Sequence, residues 1–318
     1  MSRSAPMDAA PISFSLDRRA LARSFDRAGA GYDAAAQLQR RVRGELLERL
    51  RYFALEPQSI LDLGAGTCQG SLALRRRFPR ARVIALDIAP GMLKASPRPR
   101  WPWRRWPWAR RPWARRPWPR FERVCGDACA LPLASRSVEL IYSNLMLQWC
   151  DRPEAVFREL SRVLKPGGLL VFSSFGPDTL QELRLAWQSA DHDVHVSEFP
   201  DMPQLGEAMM SAGFIEPVMD VERHRLLYPD TFALMRELQR IGARNASNAR
   251  SRALTGRARL QRMVEAYELR RTASGLPATF EVIFGAAFGA APPASGRADS
   301  SVPGEFAVPL TALGRARR

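Results

Sequence analysis

Residues 60–70, Ile-Leu-Asp-Leu-Gly-Ala-Gly-Thr-Cys-Gln-Gly, carry a short apolar run through a glycine-rich turn into a helix-like stretch. Gly64 and Gly66 let the backbone bend tightly and approach a ligand where any Cβ would collide. About twenty residues later Asp87 closes the next apolar run, placed to accept both hydroxyls of a ribose. A Gly-x-Gly turn alone says little, because phosphate-binding and dinucleotide-binding folds share it. Three details narrow the chemistry. Asp62, just ahead of the first glycine, is ill suited to a pyrophosphate and well suited to a cationic ligand. Gln69 stands where the third glycine of a dinucleotide fingerprint belongs. A further acid, Asp127, follows in Cys125-Gly126-Asp127-Ala128. The competing expectation is a Rossmann-like turn that binds nothing.

Positioning these residues requires strands that end beside one another. Residues 59–63, 82–86, 121–125, 138–143 and 169–174 read as strands, and residues 71–77 as the helix after the glycine turn. Pro90 suits the first turn of a short helix that Pro97 stops. Residues 153–164 are amphipathic, with Val156, Leu160 and Val163 at helical spacing, and Pro166-Gly167-Gly168 breaks that helix. Alternating strands and helices predict a parallel sheet covered on both faces. Beyond residue 176 more helices follow: one capped by Asp201 with Gln204 and ended by Gly213, then 230–241 and 257–270. Residues 279–284 read as a last strand, and from about residue 291 a Pro-, Ala-, Gly- and Ser-rich tail is expected.

The loudest feature lies between the second and third strands. Residues 97–120 hold nine arginines, no acid and six of the eight tryptophans, more than half of the net charge of +16. Pro102, Pro107, Pro112 and Pro117 recur every five residues, each followed by a tryptophan. So dense a proline repeat forms neither a helix nor a central strand. It reads as an extended, low-complexity insertion into a folded domain. Cys68, Cys125, Cys129 and Cys150 form no CxxC pair, and reduced thiols are expected. No stretch approaches a membrane span or a signal-peptide core, so a cytoplasmic protein is expected. His192 and His195, three apart, read as a surface loop rather than a metal site, and no metal is expected. Trp149 and Trp187 read as core or pocket wall; Met202, Met209, Met210 and Met219 as packing residues.

The turn with Asp62, Asp87 and Asp127 resembles the class I S-adenosylmethionine-dependent methyltransferases, although Cys68 stands at their third glycine. The resemblance implies a mostly parallel seven-stranded α/β sheet with a helical lid. It places Asp62, Gly64 and Gly66 at the methionine part of the cofactor and Asp87 at the ribose. Asp127 and Ala128 would flank the adenine, with Asn144 near the sulfonium. Further motifs narrow the family. Ser24-Phe25-Asp26-Arg27-Ala28 with Tyr32, the run 143–150 (SNLMLQWC), the run 240–245 (RIGARN) and the run 276–282 (LPATFEV) resemble the malonyl-acyl-carrier-protein O-methyltransferases of biotin synthesis. The resemblance runs from about residue 14 to 288, the insertion excepted, so one methyltransferase domain over residues 1–290 is expected: N-terminal helices 14–50, cofactor core 55–175, and substrate and lid part 176–290. Complex I assembly factors of arginine hydroxylase type share the run 175–180, and a non-methylating protein of that kind is the alternative. An RNA methyltransferase, prompted by the arginines, lacks both an NPPY-like motif and a basic stripe outside the insertion.

A malonyl thioester, on acyl-carrier protein or coenzyme A, presents a carboxylate already ionised at neutral pH, so no general base is required. Catalysis would align oxygen, methyl carbon and sulfur and exclude water. Arginine suits the second carboxylate oxygen, and Arg244 is the candidate, the competing reading being a solvated helix end. Tyr32, near Phe25, would close over the cofactor, or simply pack. Acyl-carrier proteins are small and acidic, so a basic rim would speed their encounter.

Overall fold

The computed structural model describes residues 16–96, 121–243, 245–248 and 255–290. The Pro-Trp repeat, the segment from 291 onward and Arg244 lie outside these residues. The described residues open on three helices, α1 (Arg18–Ala28), α2 (Tyr32–Ala35) and α3 (Gln37–Arg49). The alternating part follows as β1 (Ser59–Leu63), α4 (Gln69–Arg77), β2 (Arg82–Asp87), α5 (Pro90–Ala95), β3 (Glu122–Cys125) and β4 (Val138–Asn144). It continues through α6 (Pro153–Val163), β5 (Leu164–Phe175), α7 (Gln181–Gln188) and α8 (Met202–Ser211). The last elements are β6 (Phe214–Tyr228), α9 (Thr231–Arg240), α10 (Arg257–Glu268) and β7 (Leu276–Gly289).

The strands form one seven-stranded sheet in the order β3-β2-β1-β4-β5-β7-β6. β1 to β5 pair in parallel, and β7 runs antiparallel to both β5 and β6. Alternation along each strand builds the two faces. Ile60, Val83, Leu140, Tyr142, Leu169 and Val171 meet α3, α7 and α10 through Val42, Leu46, Leu183 and Tyr267. Their neighbours Leu61, Leu63, Ile84, Leu86, Ile141 and Leu170 meet α6 and α8 through Val156, Phe157, Leu160 and Leu205. A central strand buried on both sides reads as a continuous apolar run, which is why residues 59–63 and 82–86 stand out in the sequence. Each such side chain contributes about 1.5–3 kcal/mol relative to exposure.

The expected capping box is present: Gln204 N–H donates to Asp201 Oδ1 at 2.8 Å, and Asp201 N–H to Gln204 Oε1 at 3.0 Å. Asp230 caps α9 in the same manner, accepting from Ala233 N–H at 2.7 Å. Two expectations need correction. Pro166-Gly167-Gly168 stands beyond the helix end, as expected, but within the following strand, which was read only from residue 169. β5 begins at Leu164, directly after α6, and the glycines lie in its irregular start, where the register with β4 shifts between Val138 and Leu140. The second correction concerns 214–228, where no strand stood out. This edge strand is largely exposed and rich in charge, with Pro217 beside a register shift, so it lacks both the apolar run and the clean alternation that mark a strand. Of the methionines, Met209 is buried and Met219 partly buried, whereas Met202 and Met210 are exposed rather than packed.

Gly285 on β7 pairs with Phe172 on β5, and a Cβ there would lie 2.3 Å from the phenylalanine ring. Gly285→Ala is therefore expected to destabilise the fold by about 1–3 kcal/mol through overpacking. Urea unfolding followed by circular dichroism measures this, and an unchanged midpoint contradicts the packing described.

Candidate active site

Three cavities meet at the carboxyl ends of β1, β2 and β4, where an open α/β sheet leaves its crevice. The first is lined by Asp62, Gly64, Gly66, Thr67, Arg43 and Asn144. Its floor is the glycine turn. Gly64 and Gly66 take φ +70° and +53°, and a Cβ on Gly64 would lie 2.3 Å from Met146 Cγ. Cys68, standing where the family glycine is expected, also adopts the left-handed region at φ 62°, so the turn keeps a glycine-like path with a buried thiol. Asp62 is buried and accepts the Ser71 hydroxyl at 2.5 Å. Burial pushes its carboxyl up to about 6, with the hydroxyl and N–H of Ser71 opposing the shift.

The second cavity is lined by Leu86, Asp87, Met92, Asp127, Ala128 and Trp149. Asp87 Oδ2 accepts Gly66 N–H at 2.8 Å and Oδ1 accepts Ala89 N–H at 2.8 Å. Burial raises this carboxyl above the ordinary range, against those two hydrogen bonds. Asp127 takes a fork from Arg18 at 3.0 and 3.2 Å and also accepts Cys129 N–H at 2.9 Å. The third cavity is mostly apolar, walled by Phe25, Trp149, Phe175, Leu180 and Phe199, with Gln148, Thr179, His195 and Asn245 as polar members. Gln148 donates its amide to the Leu145 carbonyl at 2.7 Å, and its buried Oε1 has no partner among the described residues.

Tyr32 lines all three cavities. Burial, then the charges of Asp87 and Asp33, raises its hydroxyl well above the usual range, so it stays protonated and can donate. Asn144 lines the first two cavities, held by its donation to the Gln39 carbonyl at 3.3 Å and by the Ser173 hydroxyl at 3.1 Å.

All seven residues expected at the cofactor therefore converge: Asp62, Gly64, Gly66 and Asn144 on the first cavity, Asp87, Asp127 and Ala128 on the second. Tyr32 stands at their junction with the third. Arg244 lies outside the described residues, although its neighbours Ala243 and Asn245 line the third cavity. The sequence reading missed the N-terminal arm's grip on the turn. Asp33 accepts the Thr67 hydroxyl at 2.6 Å and the Gln69 amide at 2.8 Å, and Asp26 accepts Gly91 N–H at 2.6 Å. The signal was a pair of acids, each directly after an aromatic residue: Asp26 after Phe25 on the arginine-rich α1, and Asp33 after Tyr32 on the short α2.

His195 also needs correction. His192 is exposed as expected, but His195 is half-buried, stacks on Trp187 at 3.6 Å between ring centroids and 9° between planes, and lines the third cavity. Trp149 forms pocket wall, edge-on to Phe25 at 5.3 Å, and Trp187 is core, as read from the sequence. Among the described residues no helix is long and apolar enough to cross a membrane.

A family model for a methyltransferase domain matches residues 61–172. Among solved structures, the YcgJ protein of Bacillus subtilis superposes with a TM-score of 0.51 at 16% identity, covering 78% of this chain and 98% of that one, a likeness of fold. Curated relatives are much nearer. The malonyl-[acyl-carrier protein] O-methyltransferase of Gallionella capsiferriformans is 45% identical over 280 residues, 88% of this chain and 93% of that protein. The protein of the same name from Methylovorus is 46% identical over 273 residues, 86% and 89% of the two chains. At such identity over nearly the whole length of these relatives, the chain belongs to the malonyl-[acyl-carrier protein] O-methyltransferase family.

Proposed function

We propose that this enzyme transfers the methyl group of S-adenosylmethionine to the free carboxylate of malonyl-acyl-carrier protein, the step that primes a pimeloyl chain for biotin. The observation that carries the reading is the junction at Tyr32, where a polar two-part cradle meets an apolar acceptor cavity. The cradle suits the cofactor. Asp62 offers a carboxylate for its ammonium and Arg43 a cation for its carboxylate, both facing the first cavity. Asp87 and Asp127 offer acceptors in the second, with Met92, Leu86 and Ala128 as flat apolar walls for a base. The close approach at Gly64 leaves no room for a side chain there.

Bound in this cradle, the cofactor supplies a methyl carbon on sulfonium: a carboxylate oxygen bonds to that carbon, the C–S electron pair goes to sulfur, and a methyl ester and a thioether result. The protein's residues orient and enclose. Among the described residues lining the acceptor cavity only Tyr32 and His195 titrate, and neither is needed as a base toward an already ionised carboxylate. Phe25, Trp149, Phe175 and Phe199 exclude water, and the protonated Tyr32 can hold an acceptor oxygen in place. The arginine hydroxylase alternative finds no favour in relatives that carry the methyltransferase name along their length.

A carrier protein as partner is supported by α1. Its inner residues Leu21 and Phe25 line the cavities, while Arg19, Arg23 and Arg27 form an exposed stripe four residues apart. Among the described residues none of the three has a carboxylate partner, and Arg27 shares a cleft with Arg240 of α9. Such a rim fits an acidic protein surface.

Three outcomes are expected. Expression in a strain unable to make pimeloyl precursors restores growth without biotin, and mass spectrometry of purified malonyl-carrier protein shows the methyl ester; failure of both overturns the reading. Affinity for S-adenosylmethionine falls about tenfold per pH unit below about 6, as Asp62 takes up a proton and loses its attraction for the ammonium. Asp62→Asn removes that dependence, and calorimetry across pH 5–8 checks it. Replacing Arg19, Arg23 and Arg27 by alanine together raises KM for malonyl-carrier protein about tenfold at low salt, with malonyl-coenzyme A unaffected. An equal change for both thioesters contradicts the docking role.

A further inference from the structure

A carboxylate taken into an apolar cavity needs a counter-charge or paired donors. Among the described residues lining the third cavity, His195 alone can carry a positive charge. Its surroundings fix the ring in place. His195 Nε2 lies 2.7 Å from Asp191 Oδ1, and the ring is fixed flat against Trp187. Asp191 also meets Arg259 of α10 at 3.4 Å, and the same guanidinium lies 3.1 Å from Asp193. Arg262 ties the loop from below by donating to the Ala190 carbonyl at 2.9 Å, and Asn245 by donating to the Val194 carbonyl at 2.5 Å.

Two carboxylates, Asp191 and Asp193, lie beside the ring and share the one guanidinium of Arg259. Asp191 is held below the ordinary carboxylate range: burial works against its charge, but hydrogen bonds from His195 and the Asp193 N–H outweigh it. A charged Asp191 requires the proton on Nε2, so Nδ1 is the nitrogen left for a ligand. Asp191, Asp193 and His195 could converge on a metal ion, but Arg259 already brings a cation to both aspartates.

Resting on the methyl-transfer reading above, we infer that His195, held by Asp191 and stacked on Trp187, is the cationic receptor that positions the malonyl carboxylate in the acceptor cavity. Imidazolium Nδ1–H donates to one carboxylate oxygen while the other faces the cofactor. Methylation removes the acceptor's charge, so the same contact that holds the substrate releases the ester. His195 thereby discriminates substrate from product as well as positioning it.

The test compares malonyl-carrier protein with its methyl ester, each titrated into the enzyme with S-adenosylhomocysteine bound. Wild type is expected to bind the carboxylate about tenfold or more tighter than the ester, and His195→Gln to lose that preference while binding the ester as wild type does. Asp191→Asn, which removes the carboxylate that holds the ring, is expected to reduce that preference as well. An undiminished preference in His195→Gln, or equal weakening toward both ligands, overturns the assignment while leaving the enzyme's activity in place. A wild type that forms no methyl ester overturns the underlying reading and this one with it.

Discussion

The site depends on one carboxylate. Asp87, at the end of β2, accepts the N–H of Gly66 from the turn after β1 and that of Ala89 ahead of α5. These bonds tie two adjacent strand ends to one another and hold the left-handed run of Gly64, Gly66 and Cys68 in shape. A half-buried carboxylate is costly unless its oxygens are satisfied, and here the backbone satisfies them. The same side chain faces the second cavity, so the group that shapes the turn also presents its charge to a ligand.

Around this anchor the N-terminal arm forms a roof. Polar links to loops, Arg18 to Asp127, Asp26 to Gly91 and Asp33 to Thr67 and Gln69, accompany the apolar packing of Leu21 and Phe25 beside Trp149 and Ala246. Tyr32 is carried by that roof into the meeting point of the three cavities, so the seating of these helices and the completion of the acceptor cavity go together.

Much of this was legible in the residues. Strands buried on both faces print as apolar runs, and a turn that must take positive φ prints as glycine, so β1, β2 and Asp87 were read in place. What escaped reading depends on distance along the chain. Arg18 and Asp127 are 109 residues apart, Asp33 and Thr67 34 apart, and no local pattern announces such pairs. β6 escaped because an edge strand needs no apolar run. His195 was taken for a surface residue because its flanking acids and His192 look solvated; Trp187, which buries it, lies in the preceding helix. Cys68 shows the reverse case, a non-glycine residue in the conformation that the family motif reserves for glycine.

If Asp87 is what shapes the cradle, its removal must abolish cofactor binding without unfolding the chain. Isothermal titration of S-adenosylmethionine into wild type and Asp87→Ala, with circular dichroism on both, measures this directly. Saturable one-to-one binding by the wild type and none by a folded Asp87→Ala is the expected result. Equal affinity in the two proteins would contradict it.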